Sequence, residues 1–92
     1  MRVAVNYLAQ VKQAAGCASE AVELDGGSSL RELVRRLAER HGEPLRGLLL
    51  GPTGSPHDSL LLFVGDEQVR WEAARALRDG DVVTVLAPMA GG

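Results

Sequence analysis

The chain has 92 residues, the length of one domain, with room for one sheet-and-helix core but not for a deep active site. Its 46% hydrophobic and 24% charged residues are typical of a folded soluble protein, and a net charge of −2 argues against the basic stripe of nucleic-acid binders. No run approaches the ~20 apolar residues of a membrane span, and the first residues lack a signal-peptide layout. We therefore expect a cytoplasmic protein with no nucleic-acid or membrane partner.

Residues that commonly carry chemistry are scarce. Cys17 is the only cysteine, which excludes an internal disulfide and a multi-cysteine metal site, and His41 and His57 alone do not make a zinc site. Cys17 is either a reactive loop thiol or an inert small side chain, and no flanking base favours the first. Lys12 is the only lysine, so if copies of this protein were linked to one another through a lysine side chain, only Lys12 could serve. We expect no metal and no bound cofactor.

The first half of the chain predicts a hairpin followed by one helix. Residues 2–7 and 19–24 alternate apolar and polar side chains, the pattern of half-buried strands, and residues 9–18 are interpreted as a connector. Ser29 and Glu32 have the spacing of a capping box at a helix start. A helical apolar stripe follows, made of Leu30, Leu33, Val34, Leu37 and Ala38. His41 then suits the negative end of the helix dipole, and Gly42 suits the residue after the helix.

The second half predicts three more strands. Residues 44–59 are rich in Gly and Pro, typical of irregular structure, with one short helical turn near Leu45. Residues 60–64 form an apolar strand, residues 65–67 turn it into a second strand around 68–70, and residues 71–78 are ambiguous, with one possible helical turn. Asp79 and Asp81 flank Gly80 as turn formers rather than as paired catalytic carboxylates. The β-branched run 82–86 is predicted to be a central strand.

The order of these elements predicts a two-layer α+β domain, in which a mixed sheet of about five strands packs on one main helix. Several motifs then carry a resemblance over nearly the whole chain: Val5-Asn6-Tyr7-Leu8-Ala9, Ser29-Leu30-Arg31-Glu32-Leu33, Leu77-Arg78-Asp79-Gly80-Asp81-Val82-Val83, and Leu86-Ala87-Pro88-Met89-Ala90-Gly91-Gly92. With them the chain resembles the ubiquitin-like β-grasp sulfur carriers. That group includes the small subunit of molybdopterin synthase, the thiamine sulfur carrier and the cysteine-biosynthesis carrier.

The resemblance implies a β-grasp domain over residues 1–86 and a flexible tail over 87–92. In such carriers an ATP-using adenylating enzyme of the ubiquitin-activating type activates the C-terminal carboxylate, here that of Gly92, which becomes a thiocarboxylate. The tail, with Pro88, Met89, Ala90 and Gly91, then threads the active site of a synthase subunit that accepts the sulfur. Six residues extend at most ~20 Å, and glycine fits a narrow channel.

The resemblance leaves the pathway open between molybdopterin and cysteine, because Val64-Gly65-Asp66-Glu67 departs from the Val-Asn-Gly-Glu of many members and residues 66–71 look more like the cysteine carriers. The chain itself is expected to be a substrate rather than an enzyme, with no catalytic residue. The resemblance also fits the small non-catalytic subunit of a synthase such as molybdopterin synthase. Two alternatives are a protein modifier conjugated through Gly92 and an interaction module without covalent chemistry.

The apolar strand 60–64 also suggests a surface for these partners. If the domain does not cover both of its faces, the outer side forms an apolar patch, and such patches mark docking sites. The residues expected to form this surface are Leu60, Leu62 and Phe63. The arginines of the helix, Arg31, Arg35, Arg36 and Arg40, are interpreted mainly as a solvated face that could also meet an acidic partner.

Overall fold

Eight elements of secondary structure follow one another in the computed structural model, which describes residues 1–73 and 75–87. They are β1 (Arg2–Leu8), α1 (Ala9–Ala15), β2 (Ser19–Glu23), α2 (Leu30–His41), α3 (Leu45–Leu49), β3 (Leu61–Val64), β4 (Glu67–Gln68) and β5 (Val82–Leu86). The domain predicted over residues 1–86 falls almost entirely within this part of the chain. The predicted tail falls outside it, apart from Ala87.

The five strands form one mixed sheet in the order β2-β1-β5-β3-β4. β1 and β5 run parallel at its centre, and the other three pairings are antiparallel. The predicted first hairpin is therefore confirmed, as is the central position of the β-branched strand. The predicted α+β architecture, a sheet of about five strands with one long helix, is confirmed as well.

The long helix α2 begins and ends where the sequence predicts. The Ser29 hydroxyl accepts a hydrogen bond from the Glu32 amide at 3.3 Å, which satisfies one of the free amides of the first turn. At the other end the Gly42 amide bonds to the Ala38 carbonyl, and Gly42 has a φ of +66°, a region that favours glycine. The five stripe residues of α2 are buried. Capping, periodicity and burial thus agree in this element.

Three segments differ from the expectation, and the shortest is β4, which occupies Glu67–Gln68 rather than residues 68–70. Residues 9–15, interpreted as a connector, form α1, because Val11 is fully buried and anchors a run of good helix formers that ends at Gly16, with φ +77°. Residues 75–78 contain no helical turn; the Leu77 amide instead bonds to the Ser28 carbonyl at 2.8 Å, and Leu77 is buried. A tertiary contact at Leu77 therefore replaced the local preference of this stretch for helix.

The core lies between one face of the sheet and the helices. On the sheet side it takes alternate residues of the strands: Val3, Val5, Tyr7, Val22, Leu62, Val64, Val83 and Val85. Each of these is at most 5% exposed. Because side chains alternate along a strand, the residues between them point to the opposite face, which no helix covers in the described part of the chain.

Candidate functional site

The end of β5 fixes where the predicted reactive tail begins. β5 ends at Leu86 in the middle of the sheet, where Leu86 pairs with Leu8 of β1 on one side and with Leu61 of β3 on the other. Ala87, the last described residue, is only 6% exposed. The site residues predicted beyond it, Pro88, Met89, Ala90, Gly91 and Gly92, lie outside the described residues. The part that the structure places is therefore the point of departure of the tail.

An apolar surface lies directly beside that point, on the side of the sheet away from the core. The pairing register puts Leu8, Leu86 and Leu61 in one row, and Phe63 beside Thr84 in the next row. Leu8 is 45% exposed and Val82, further along β5, is 40% exposed, the two large apolar side chains described as exposed. This surface is called the open face below; its apolar members are Leu8, Leu61, Phe63, Val82 and Leu86.

The open face corrects the predicted docking surface. Leu60 and Leu62 are 7% and 2% exposed and belong to the core, so their side chains are not available to a partner. Phe63 is half-buried and lies on the open face, together with Leu61. The expectation was wrong for Leu60 and Leu62 because five consecutive apolar residues carry no alternation that tells the two faces apart.

A polar cluster joins β1, β2 and the end of α2. The Glu20 carboxylate, 14% exposed, accepts hydrogen bonds from the Tyr7 hydroxyl and from Nε2 of His41, and it lies 3.3 Å from Nε of Arg40. The rings of Tyr7 and His41 meet edge to face with their centroids 6.0 Å apart. His41, predicted only as a partner of the helix dipole, thus also ties the helix to β2.

The cluster shifts the proton affinity of two of its members. Burial acts to raise the pKa of Glu20, but the hydrogen bonds from Tyr7 and His41, with the charges of His41 and Arg40, outweigh it and hold the pKa below 4.5. Burial, the hydrogen bond to Glu20 and its negative charge all raise the pKa of Tyr7, which therefore stays a donor at neutral pH. The arrangement is structural: a charged acceptor with its donors, away from the open face.

The remaining candidates are Cys17 and the two aspartates that flank Gly80. Cys17 is free and half-buried. Asp81 accepts the Arg78 amide at 2.8 Å and its own amide bonds to the Arg78 carbonyl at 3.0 Å, which confirms the turn; Asp79, within this turn, accepts the Arg2 amide at 2.7 Å and so ties the turn to β1. Among residues 1–73 and 75–87, no three His, Cys, Asp or Glu side chains come together as metal ligands, and no helix is long and apolar enough to cross a membrane.

Four residues of the open face were missed by the sequence prediction: Leu8, Leu61, Val82 and Leu86. The signal was present in principle, since in residues 2–8 the alternation puts Leu8 on the face opposite to Val3, Val5 and Tyr7. Leu86 likewise lies out of phase with Val83 and Val85. A leucine on the polar side of an otherwise regular strand is the pattern that identifies the open face.

Known proteins resemble this chain in both sequence and fold. The model of the ThiS family matches residues 5–92. The molybdopterin synthase sulfur carrier subunit of Chlamydomonas reinhardtii is 26% identical over 92 residues, with 100% of both chains covered. SAMP1 of Haloferax volcanii has the same fold, with a TM-score of 0.87, 21% identity and full coverage of both chains. A Pyrococcus furiosus protein whose name assigns it to molybdopterin converting factor, subunit 1, has a TM-score of 0.76 and 30% identity, with 97% of this chain and 99% of that one covered.

Proposed function

The chain belongs to the ThiS family of ubiquitin-like proteins, and we propose that it is a sulfur carrier whose Gly92 carboxylate becomes a thiocarboxylate. The observation that carries the proposal is the extent of the match, which continues through residue 92. The curated sulfur carrier subunit is aligned over its whole length and over the whole of this chain. The two glycines therefore fall inside the matched region.

The fold supports a carrier that presents its tail from the centre of the sheet. β5 delivers the chain to the row of Leu8, Leu86 and Leu61. Five further residues, 88–92, can reach at most about 17 Å from there. A partner that receives the Gly92 carboxylate in its active site must then sit close to the end of β5. The open face, lying next to that point, is the surface that we assign to its docking.

In the proposed chemistry the carrier contributes only its C-terminal carboxylate. The α-carboxyl group has a pKa of about 3.3–3.7 and is ionised at neutral pH, so a carboxylate oxygen of Gly92 can attack the α-phosphate of ATP and release pyrophosphate. Hydrosulfide then attacks the acyl carbon of the adenylate, AMP leaves, and the product is the thiocarboxylate. The activating enzyme supplies the ATP site, and a synthase subunit accepts the sulfur. No side chain of this chain takes part in bond making.

We assign the acceptor to molybdopterin synthase rather than to cysteine biosynthesis. The 26% identical curated relative is named as the sulfur carrier subunit of molybdopterin synthase, and the 30% identical structure is named for the same conversion. The test is reconstitution: the thiocarboxylated chain is mixed with the catalytic synthase subunit of its host and a molybdopterin precursor. Product formation supports the assignment, whereas transfer of sulfur only to an activated serine derivative contradicts it.

Intact mass spectrometry of the protein from its native host tests the carrier function itself. We expect a species ending at Gly92 that is heavier by the difference between one sulfur and one oxygen atom, and its loss in a chain lacking Gly91 and Gly92. Gly-Gly remnants on lysines of other proteins, with no sulfur-bearing species, would instead establish a protein modifier. If neither appears and the shortened chain still supports growth, both covalent functions are refuted.

A further inference from the structure

The free edge of the sheet at β2 presents unpaired backbone groups. Met1 and Leu24 exchange two backbone hydrogen bonds, and the Tyr7 amide bonds to the Ala18 carbonyl. In an antiparallel ladder such pairs alternate, so the backbone groups of Ser19, Ala21 and Glu23 point away from β1. β2 is the outermost strand on its side. In the part of the chain that the structure describes, the one bond to this edge comes from Arg40, which donates to the Ala21 carbonyl at 3.3 Å.

A groove runs along this edge, between β2 and the second half of α2. It has a volume of about 440 Å³ and is lined by Ala21, Val22, Glu23, Arg36, Glu39 and Arg40. We call it the edge groove. On its strand side Ala21 is exposed and carries only a methyl group, and Val22 is buried. Five residues of extended backbone match the length of β2.

The ion pairs along the edge groove leave one arginine without a partner in the described part of the chain. Arg40 pairs with Glu20 at 3.3 Å, Glu23 with Arg2 at 2.9 Å, and Glu39 with Arg35 at 3.4 Å. Arg36 is exposed and has no ion pair or side-chain hydrogen bond among the described residues. The groove therefore combines a row of unpaired amides and carbonyls with a free positive charge.

From this combination we propose that the edge groove binds an extended acidic segment of a partner protein, which adds as a sixth strand beside β2. Strand addition to an exposed edge takes its affinity from main-chain hydrogen bonds and its specificity from side chains along the groove. The Ala21 carbonyl keeps its bond to Arg40 and accepts an incoming amide with its second lone pair. An acidic side chain of the segment pairs with Arg36.

A second copy of this chain fits the edge less well. Antiparallel pairing of β2 with β2 about Ala21 places the two α2 helices side by side on the same face of the joined sheet. Each copy would then bring the same Arg36, unpaired within the described residues, to the seam, where like charges oppose association. The acidic segment meets no such repulsion. The edge groove lies on the helix side of β2, whereas the open face is the other side of the sheet, so both surfaces can be occupied at once.

The test is an amide NMR titration of the full chain with a capped synthetic peptide of alternating valines flanked by aspartates. We expect shifts at Ser19, Ala21 and Glu23, and slowed exchange of the Ala21 and Glu23 amides, because new main-chain bonds cover them. A peptide with asparagine in place of each aspartate should bind about tenfold more weakly, since hydrogen bonds to a charged group are stronger.

Matched variants distinguish binding in the edge groove from a general attraction between the peptide and the positive charges of the protein. Arg36→Glu should weaken the aspartate peptide about tenfold or more, whereas Arg46→Glu, an identical change at an exposed arginine outside the groove, should change it less than about twofold. Ala21→Pro removes the outward amide while leaving the β1 ladder intact and should abolish binding.

Several results overturn the proposal: no shifts at β2 up to about 1 mM peptide, equal losses for the two arginine variants, or equal binding of the asparagine peptide. Shifts confined to the open face also overturn it, as does a concentration-dependent dimer formed through β2. Loss of the Gly92 thiocarboxylate leaves this test unaffected, so failure of the carrier function and failure of the edge groove are distinguishable.

Discussion

Truncation of two neighbouring leucines in β3 should produce opposite phenotypes. Leu62 is 2% exposed and lies in the core, while Leu61 points to the open face beside Leu86. Removing a fully buried leucine side chain costs about 2–5 kcal/mol, through lost burial and the cavity left behind. For Leu61→Ala we expect less than about 1 kcal/mol, because its outer side is already in water. The two variants change the same atoms in the same strand.

The loss of unfolding free energy expected for Leu62→Ala is large relative to the total stability of the domain. A domain has about 5–15 kcal/mol of unfolding free energy, so Leu62→Ala removes a substantial share. For a domain of this size each kcal/mol shifts the melting temperature by about 4–8 °C, and a loss near 3 kcal/mol therefore lowers it by about 12–24 °C. Leu61→Ala should melt within about 6 °C of the parent chain.

Chemical and thermal unfolding, followed by circular dichroism, measure the first half of this contrast. Calorimetric titration with the synthase subunit measures the second half, in which Leu61→Ala weakens binding by about 1 kcal/mol or more while Leu62→Ala binds normally below its melting temperature. Equal destabilisation by the two substitutions would show that the face assignment of β3 is wrong. Normal binding by both Leu61→Ala and Leu8→Ala would remove the open face as the docking surface.

Three further predictions concern the stability of the domain. The pKa of Glu20 is lower in the folded chain than its ordinary value of 4.5, so the stabilisation from its charged form is complete above pH 4.5 and is lost as the pH falls through the folded-state pKa. In denaturant titrations from pH 3 to 7, Glu20→Gln should lose less unfolding free energy at low pH than the parent chain. An unchanged pH dependence of the unfolding free energy would contradict this. Ser29→Ala should cost about 1 kcal/mol in the same assay through the lost cap of α2. The control is Ser19→Ala, an exposed serine whose side chain makes no hydrogen bond among the described residues, with an effect near zero. Gly80→Ala should cost about 1–2 kcal/mol from backbone strain alone, since Gly80 has a φ of +87° and nothing lies within 4 Å of an added Cβ; a neutral effect would mean that the turn adjusts.

The sequence predicted those parts of the fold in which several local signals agree. In α2 the capping box of Ser29 and Glu32, the apolar stripe and Gly42 each indicate the same bounds, and the structure has a helix there. The β-branched run that forms β5 was likewise enough to place a central strand. The turn at Gly80 followed from its flanking aspartates, which cap the amides of Arg2 and Arg78.

Where the outcome depended on contacts distant in sequence, local signals were insufficient. α1 forms because Val11 is buried by the rest of the domain, which no pattern within residues 9–18 reveals. The β3 residues show the same limit for the site, because an unbroken apolar run fits either face and the register with β5 alone decides that Leu62 is buried. The Glu20 cluster joins residues 13 and 21 positions apart, so its existence depends on the fold.

The proposed reactive group and the surfaces that serve it therefore differ in how they can be recognised. In the proposed chemistry Gly92 reacts through its own carboxylate, so the reaction needs only a chain terminus and small residues before it, and both can be read from a sequence. Docking depends on which side chains remain exposed after the sheet forms: Leu8 next to Leu86 on the open face, and Arg36 beside an unpaired strand edge. Relatives that share the Gly-Gly tail can thus share its chemistry while differing in partner, and substitutions on the open face should change which synthase receives the sulfur before they change whether Gly92 can be activated.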